Sequence, residues 1–177
     1  MRIKWKTTTN KIPQITQTLE ALSKKRIEVG AIQGEHAWLA AIHEYGCEIT
    51  VTPKMRAFLH SQGLHLQDST RVIKIPERSF LRKSHDEKGD EVLKQAERAL
   101  KFVISGRMSL EQYLDMVGRN YVTMIKEYIT ELDSPPNHPF TVERKGDNNP
   151  LIGGGYDADG NDLEGGGLVE SISYRVE

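Results

Sequence analysis

His43 and Glu44 stand side by side as in the zinc-protease signature His-Glu-x-x-His, but Cys47 occupies the place of the second histidine. A thiolate can ligate zinc, and His36, seven residues before His43, falls on the same helical face. One reading of these residues is therefore a metal-dependent hydrolase using His36, His43 and Glu44. Against it, Gly46 is placed to end the helix before Cys47, which breaks the i, i+4 geometry. Cys47 is also a conceivable nucleophile beside a histidine. Its flanks lack a strand-to-helix elbow, and a lone cysteine at a strand start packs as a small apolar residue. Further on, Asp157, Asp159 and Asn161 match the first, third and fifth positions of a calcium loop. The sixth position, which needs glycine, holds Asp162, and the twelfth, which needs glutamate, holds Leu168. The glycines of Pro150–Gly155 lack the Lys and Ser/Thr of a phosphate loop. No catalytic residue, metal or cofactor is expected.

The rest of the composition narrows the class. The length of 177 residues suits one domain. There is no run of 18 apolar residues to cross a membrane and no apolar core of a signal peptide in MRIKWKTTTN. The single cysteine cannot form an internal disulfide, so a cytoplasm is the expected place of synthesis or assembly. A net charge of −1 and widely separated Phe58, Phe80 and Phe102 give no support to specific nucleic-acid binding. The charge is uneven along the chain. Residues 1–30 carry seven Lys or Arg against two Glu, and residues 147–177 carry one Arg against seven Asp or Glu. The ends are either two solvated faces or complementary faces of neighbouring copies.

The elements that would position these residues follow from periodicity. Ile12, Ile15, Leu19 and Leu22 predict a helix over 11–23, with Asn10 as its cap. Residues 26–32 alternate as a strand, broken at Gly34. A helix over 35–45 follows, with Trp38, Leu39, Ile42 and Tyr45 on one face and Gly46 left-handed at its end. Residues 47–52 and 71–75 read as an antiparallel strand pair around a short helical excursion. Leu93, Ala96, Leu100 and Val103 mark a helix from Ser79, ended at Ser105-Gly106. Ser109 and Gln112 form a capping box for a second helix running to Leu132, with Tyr113, Val117, Tyr121, Met124 and Tyr128 along its core stripe. A short connection makes these two an antiparallel hairpin. Residues 133–139 are irregular because of three prolines. FTVERKG reads as a short strand, 147–167 as a Gly/Asp-rich loop, and 168–176 as a final strand. The fold class is α+β in one domain. Its segments are a basic stretch and helix (1–25), a strand–helix–strand core (26–82), a helical hairpin (83–132), Pro/Gly-rich loops (133–167) and the final strand (168–177).

The stretch RVIKIPERSFLR links strand to helix and mixes apolar anchors with arginines. Phe80 and Leu81 are expected to dock in the core while Arg78 and Arg82 stay at the rim, free for carboxylate pairing within the chain or across an interface.

AAIHEYG, then PERSFLR, then PLIGGG…LVESISYRV resemble, in order and spacing, the tailed-phage virion morphogenesis proteins that complete tails or join heads to tails at the neck. The matching positions include His43, Glu44, Tyr45 and Gly46, and Pro76, Phe80 and Leu81; the likeness covers most of the chain from about residue 26. The resemblance implies α+β subunits, a small mostly antiparallel sheet packed on a long helix, that can form rings at the head–tail junction. It implies a structural role without catalysis, contacts with itself and with tail-tube, terminator and head-connector proteins, and a place in the virion after assembly in the host cytoplasm. Arg78 and Arg82, with Asp157, Asp159 and Asp162, become candidate interface residues. The chain departs from the pattern at 153–167, where a Gly/Asp loop replaces a compact Thr-Gly turn; a longer docking arm and a disordered segment are the alternatives. An unrelated interaction module remains the other binding-class reading.

Overall fold

The computed structural model describes residues 10–32, 35–156, 162–163 and 167–177. It is α+β, and its strands pair only antiparallel, as three two-stranded sheets among the described residues. In chain order the elements are α1 (Ile12–Ser23), β1 (Ile27–Ala31), α2 (Glu35–Tyr45), β2 (Cys47–Thr50), α3 (Pro53–Ser61), β3 (Val72–Ile75), α4 (Phe80–Ile104), α5 (Leu110–Glu131), α6 (Pro139–Lys145), β4 (Gly155–Tyr156), β5 (Asp162–Leu163), α7 (Gly167–Ser171) and β6 (Ile172–Val176).

The long hairpin of α4 and α5 is the centre of the molecule. The expected capping box starts α5: the Gln112 N–H donates to Ser109 Oγ at 3.1 Å, and the Ser109 N–H donates to Gln112 Oε1 at 3.0 Å. Apolar residues at helical spacing then close the hairpin, with Tyr113, Leu114, Val117, Met124, Ile125 and Ile129 buried from α5. On α4 the buried stripe is Val92, Ala96, Ala99 and Val103, so Leu93 sits at its margin, 47% exposed. Of the expected stripe, Ala96 and Val103 are buried and Leu100 packs against their cluster; Leu93 is displaced by Val92, and the small Ala99 adds to the tight helix–helix contact.

The two ends of the chain meet on this hairpin. β1 pairs with β6, Val29 opposite Tyr174 and Ala31 opposite Ile172. β6 lies on α5 where Gly118 leaves room for the Tyr174 ring, whose hydroxyl donates to Asp115. Asn149 pins the preceding loop: its Nδ2 donates to Ile129 O (2.8 Å), and its Oδ1 accepts from Leu151 N (2.8 Å) and Ile152 N (2.9 Å). Leu151, Leu168 and Ile172 are thereby buried with Phe80 and Ile129.

Three expectations need correction. FTVERKG forms the helix α6 rather than a strand. Pro139 stands in its first turn, His138 Nδ1 accepts from Phe140 N at 3.3 Å, and Gly146 ends it at φ +67°. The last segment is a strand only from Ile172, since 167–171 turn as α7. The strand pair 47–52 with 71–75 does form, as β2 and β3, with Cys47 opposite Ile75 and Ile49 opposite Ile73. It does not contribute to a central core. From Cys47 to Glu77 no residue is buried, and β2 and β3 contact each other and little else. This stretch is an arm built on the body.

Within the arm, the Thr52 hydroxyl caps α3 by accepting from Met55 N (3.1 Å). The chain turns at Gly63 (φ +88°), and Leu64 N donates back to Leu59 O at 2.8 Å. Arg56 gathers the returning loop by donating to the carbonyls of Leu66 (3.1 Å), Gln67 (2.9 Å) and Thr70 (2.6 Å).

Candidate interaction site

The two motifs HEYG and PERSFLR, more than 30 residues apart, fold onto each other at the base of the arm. Gly46 ends α2 at φ +72°, and a Cβ there would stand 2.9 Å from Ile75 O and 3.0 Å from Glu77 N. Only glycine fits both the left-handed backbone and this close crossing. The crossing brings Glu44 over the start of α4.

Glu44 is 3% exposed. Its Oε1 accepts from Ser79 Oγ (2.8 Å), Arg82 N (3.1 Å) and Arg82 Nε (2.9 Å), and its Oε2 accepts from Leu81 N (2.9 Å). Arg82 Nη2 donates to the Glu44 carbonyl (2.9 Å) and to Glu77 Oε1 (2.9 Å). The first turn of any helix leaves N–H groups without partners, and a carboxylate is favoured there by the helix dipole. Ser79 is the cap residue of α4 by position, but its hydroxyl caps nothing. It donates to Glu44, which caps α4 from the neighbouring helix. Phe80, next in sequence, is fully buried as expected, and Leu81 packs half-buried against the same cluster.

Arg78 corrects the reading of the turn. It was expected at the rim and is 3% exposed. Its Nε donates to Pro135 O (2.7 Å), and its Nη2 donates to Pro136 O (3.0 Å) and Asn137 Oδ1 (3.0 Å). Its own N–H donates to His43 O at 2.6 Å. The proline-rich segment after α5 offers carbonyls that no helix or sheet uses, and a planar guanidinium satisfies several at once. Burial pulls the guanidinium below its ordinary pKa. Arg82, by contrast, remains half-exposed beside Tyr45, with its guanidinium carbon 4.9 Å from the ring centroid.

His43 lies against this arginine, with Nδ1 3.4 Å from Arg78 Nη1. Burial, then the positive charges of Arg78 and Lys145, lower its pKa from 6.5 to about 4. The unfolded chain therefore binds this proton more tightly than the folded one. Above pH 6.5 the ring is neutral in both states and nothing is lost. As pH falls from 6.5 towards 4, stability falls, with a slope below the one-proton limit of ~1.4 kcal/mol per pH unit because the unfolded ring is only partly charged at the upper end of the window and the folded ring partly charged at the lower end. Urea unfolding across this window should show that decline, and His43→Gln should make it shallower.

The hydrolase reading finds these groups already engaged. Both Glu44 oxygens hold donors, His43 Nδ1 faces Arg78, and His36 is exposed elsewhere on α2. Among the described residues no group of three or more His, Cys, Asp or Glu is placed to hold a metal ion. Cys47 is half-buried at the start of β2. Asp157 and Asp159 lie outside the described residues, as does the Asp162 side chain, whose backbone pairs in β5. Pro76 is exposed just before Glu77.

The clamp has an outer face that periodicity misread. Trp38 and Tyr45, grouped in sequence with Leu39 and Ile42 on one face of α2, are 71% and 68% exposed. The buried side runs instead through Ala40 and Glu44, with Leu39 against the core. A charged residue on the inside turns the helix so that its two largest rings point outward. They stand two turns apart, with Arg82 stacked beside the second. Compared with known proteins, the chain matches no protein-family model, and no curated protein and no solved structure is significantly similar to it.

Proposed function

We propose that this chain is a structural assembly subunit of the tail-completion or head–tail joining kind, binding its own copies and tail-tube, terminator or head-connector proteins at the neck of a tailed-phage virion. The observation that carries the binding role is the exposed ridge of Trp38, Tyr45 and Arg82 on a rigid base. Trp, Tyr and Arg dominate binding energy at protein interfaces. Exposed aromatics two turns apart on a helix contribute little to the fold and much to a contact. The phage setting rests on the order and spacing of HEYG, PERSFLR and the C-terminal motif. Assembly would take place in the host cytoplasm and end in the virion.

The test is light scattering across a concentration series at low and high salt, with negative-stain images, followed by mixing with isolated tails and filled heads. Self-association into rings, or saturable binding to one of those structures, supports the reading; neither one sinks it. Trp38→Ala combined with Tyr45→Ala should leave the urea midpoint close to wild type. It should weaken association at least tenfold, since each such anchor contributes ~2 kcal/mol or more. Unchanged association by the double variant would remove the ridge from the interface.

A further inference from the structure

The arm carries a pair of histidines that nothing in the assembly reading uses. His60 stands in the last turn of α3 and His65 in the loop that returns from it; both are exposed. Their Nδ1 atoms are 2.7 Å apart, and the rings meet edge to face with centroids at 4.3 Å. This meeting is built by the chain. The left-handed turn at Gly63 reverses the backbone, the Leu64–Leu59 hydrogen bond fixes the reversal, and Arg56 holds the carbonyls of Leu66 and Gln67 just beyond His65.

We propose that His60 and His65 form a two-imidazole site for a divalent late transition-metal ion of the Zn²⁺ or Ni²⁺ class. Imidazole nitrogen is the donor these ions share. At a metal–nitrogen distance of ~2.0–2.1 Å, two ligands of a tetrahedral ion stand ~3.3 Å apart, so the exposed rings part by about half an ångström and tilt until both nitrogens face the ion. The ion takes the place of the proton now shared between the two Nδ1 atoms. The ring that donates this proton passes to its Nε2–H tautomer, so the proton stays on that imidazole while both Nδ1 lone pairs point at the ion. The site lies at the C-terminal end of a helix, where the dipole favours a cation. Water fills the remaining positions. The arm has reason to use such a clip. It has no buried residue, and units too small for their own core commonly depend on metals or cross-links.

The proposal stands independently of the assembly reading. The test is calorimetric titration of untagged protein with NiCl₂ and with ZnCl₂, alongside His60→Ala, His65→Ala and, as control, His36→Ala. Wild type and His36→Ala should bind one ion with the same heat, and each of the other two variants should lose it. Hydrogen exchange should slow over residues 59–66 of wild type on adding the ion. Circular dichroism of the variants shows whether they remain folded; both positions are exposed, so they should. Absence of binding by wild type, or binding that survives both single substitutions, overturns the site.

Discussion

Arg78→Ala should destabilise the protein by ~3 kcal/mol or more, since a buried acceptor left without its donor costs about 1–3 kcal/mol and Arg78 serves three. The substitution leaves the carbonyls of Pro135 and Pro136 and the Asn137 side chain without their donor, in a place water does not reach freely. It also frees the segment after α5 from the start of α4. In a chain of this size each kcal/mol moves the melting temperature by ~2–4 °C, so a fall of ~6 °C or more is expected. Arg78→Lys should recover only part of the loss, because a compact ammonium cannot fan across three acceptors. The result that would reverse this assignment is an Arg78→Ala protein with a wild-type melting curve that no longer assembles. It would make the residue a contact for another chain, as its sequence neighbourhood first suggested.

Glu44→Ala is the second large effect, ~3 kcal/mol or more, from lost capping and from polar groups left without an acceptor. Ser79 Oγ, the N–H groups of Leu81 and Arg82, and Arg82 Nε all lose their partner at once. The Arg82 ion pair adds little to this sum, because its side chain is half-exposed. Glu44→Gln should cost less, since one oxygen still accepts while the amide NH₂ meets a donor. Hydrogen exchange separates capping from general packing: Leu81 and Arg82 amides should lose protection first in Glu44→Ala, ahead of the middle of α4. Uniform loss along α4 would show that the carboxylate acts through packing alone.

The helical hairpin, the capping box, the end of α2 at Gly46 and the pairing of β2 with β3 were legible because each rests on local chemistry: period, cap and turn. Phe80 was legible as an anchor for the same reason. What periodicity could not show is that two ionisable residues, Glu44 and Arg78, face inward. A charged side chain beside a turn reads as solvated, and only the proline carbonyls and the bare first turn of α4, distant in sequence, reverse that. Trp38 and Tyr45 were grouped with Leu39 on one face for the same reason, since the orientation of α2 depends on Glu44. α6 escaped because five polar or β-branched residues resemble a strand, while His138, Pro139 and Gly146 carry the helix in its caps. The HEYG and PERSFLR motifs were read separately, one as possible chemistry and one as possible interface. Their spatial union shows a shared reason for both: each supplies half of one joint.

The location of that joint has a consequence for how the protein can change. Gly46 and Glu77 nearly touch, so the 30 residues between them leave and re-enter the body at a single point. The closure of that loop is fixed by the body, and none of the body's buried residues lies within it. The arm is therefore an insertion in the architectural sense. Its length and tip can be rewritten, by evolution or by design, without repacking the interior, at the loss of one hydrogen bond from Arg144 Nη1 of α6 to Gln62 Oε1 (2.9 Å), while Gly46 and the buried Glu44 at its root cannot.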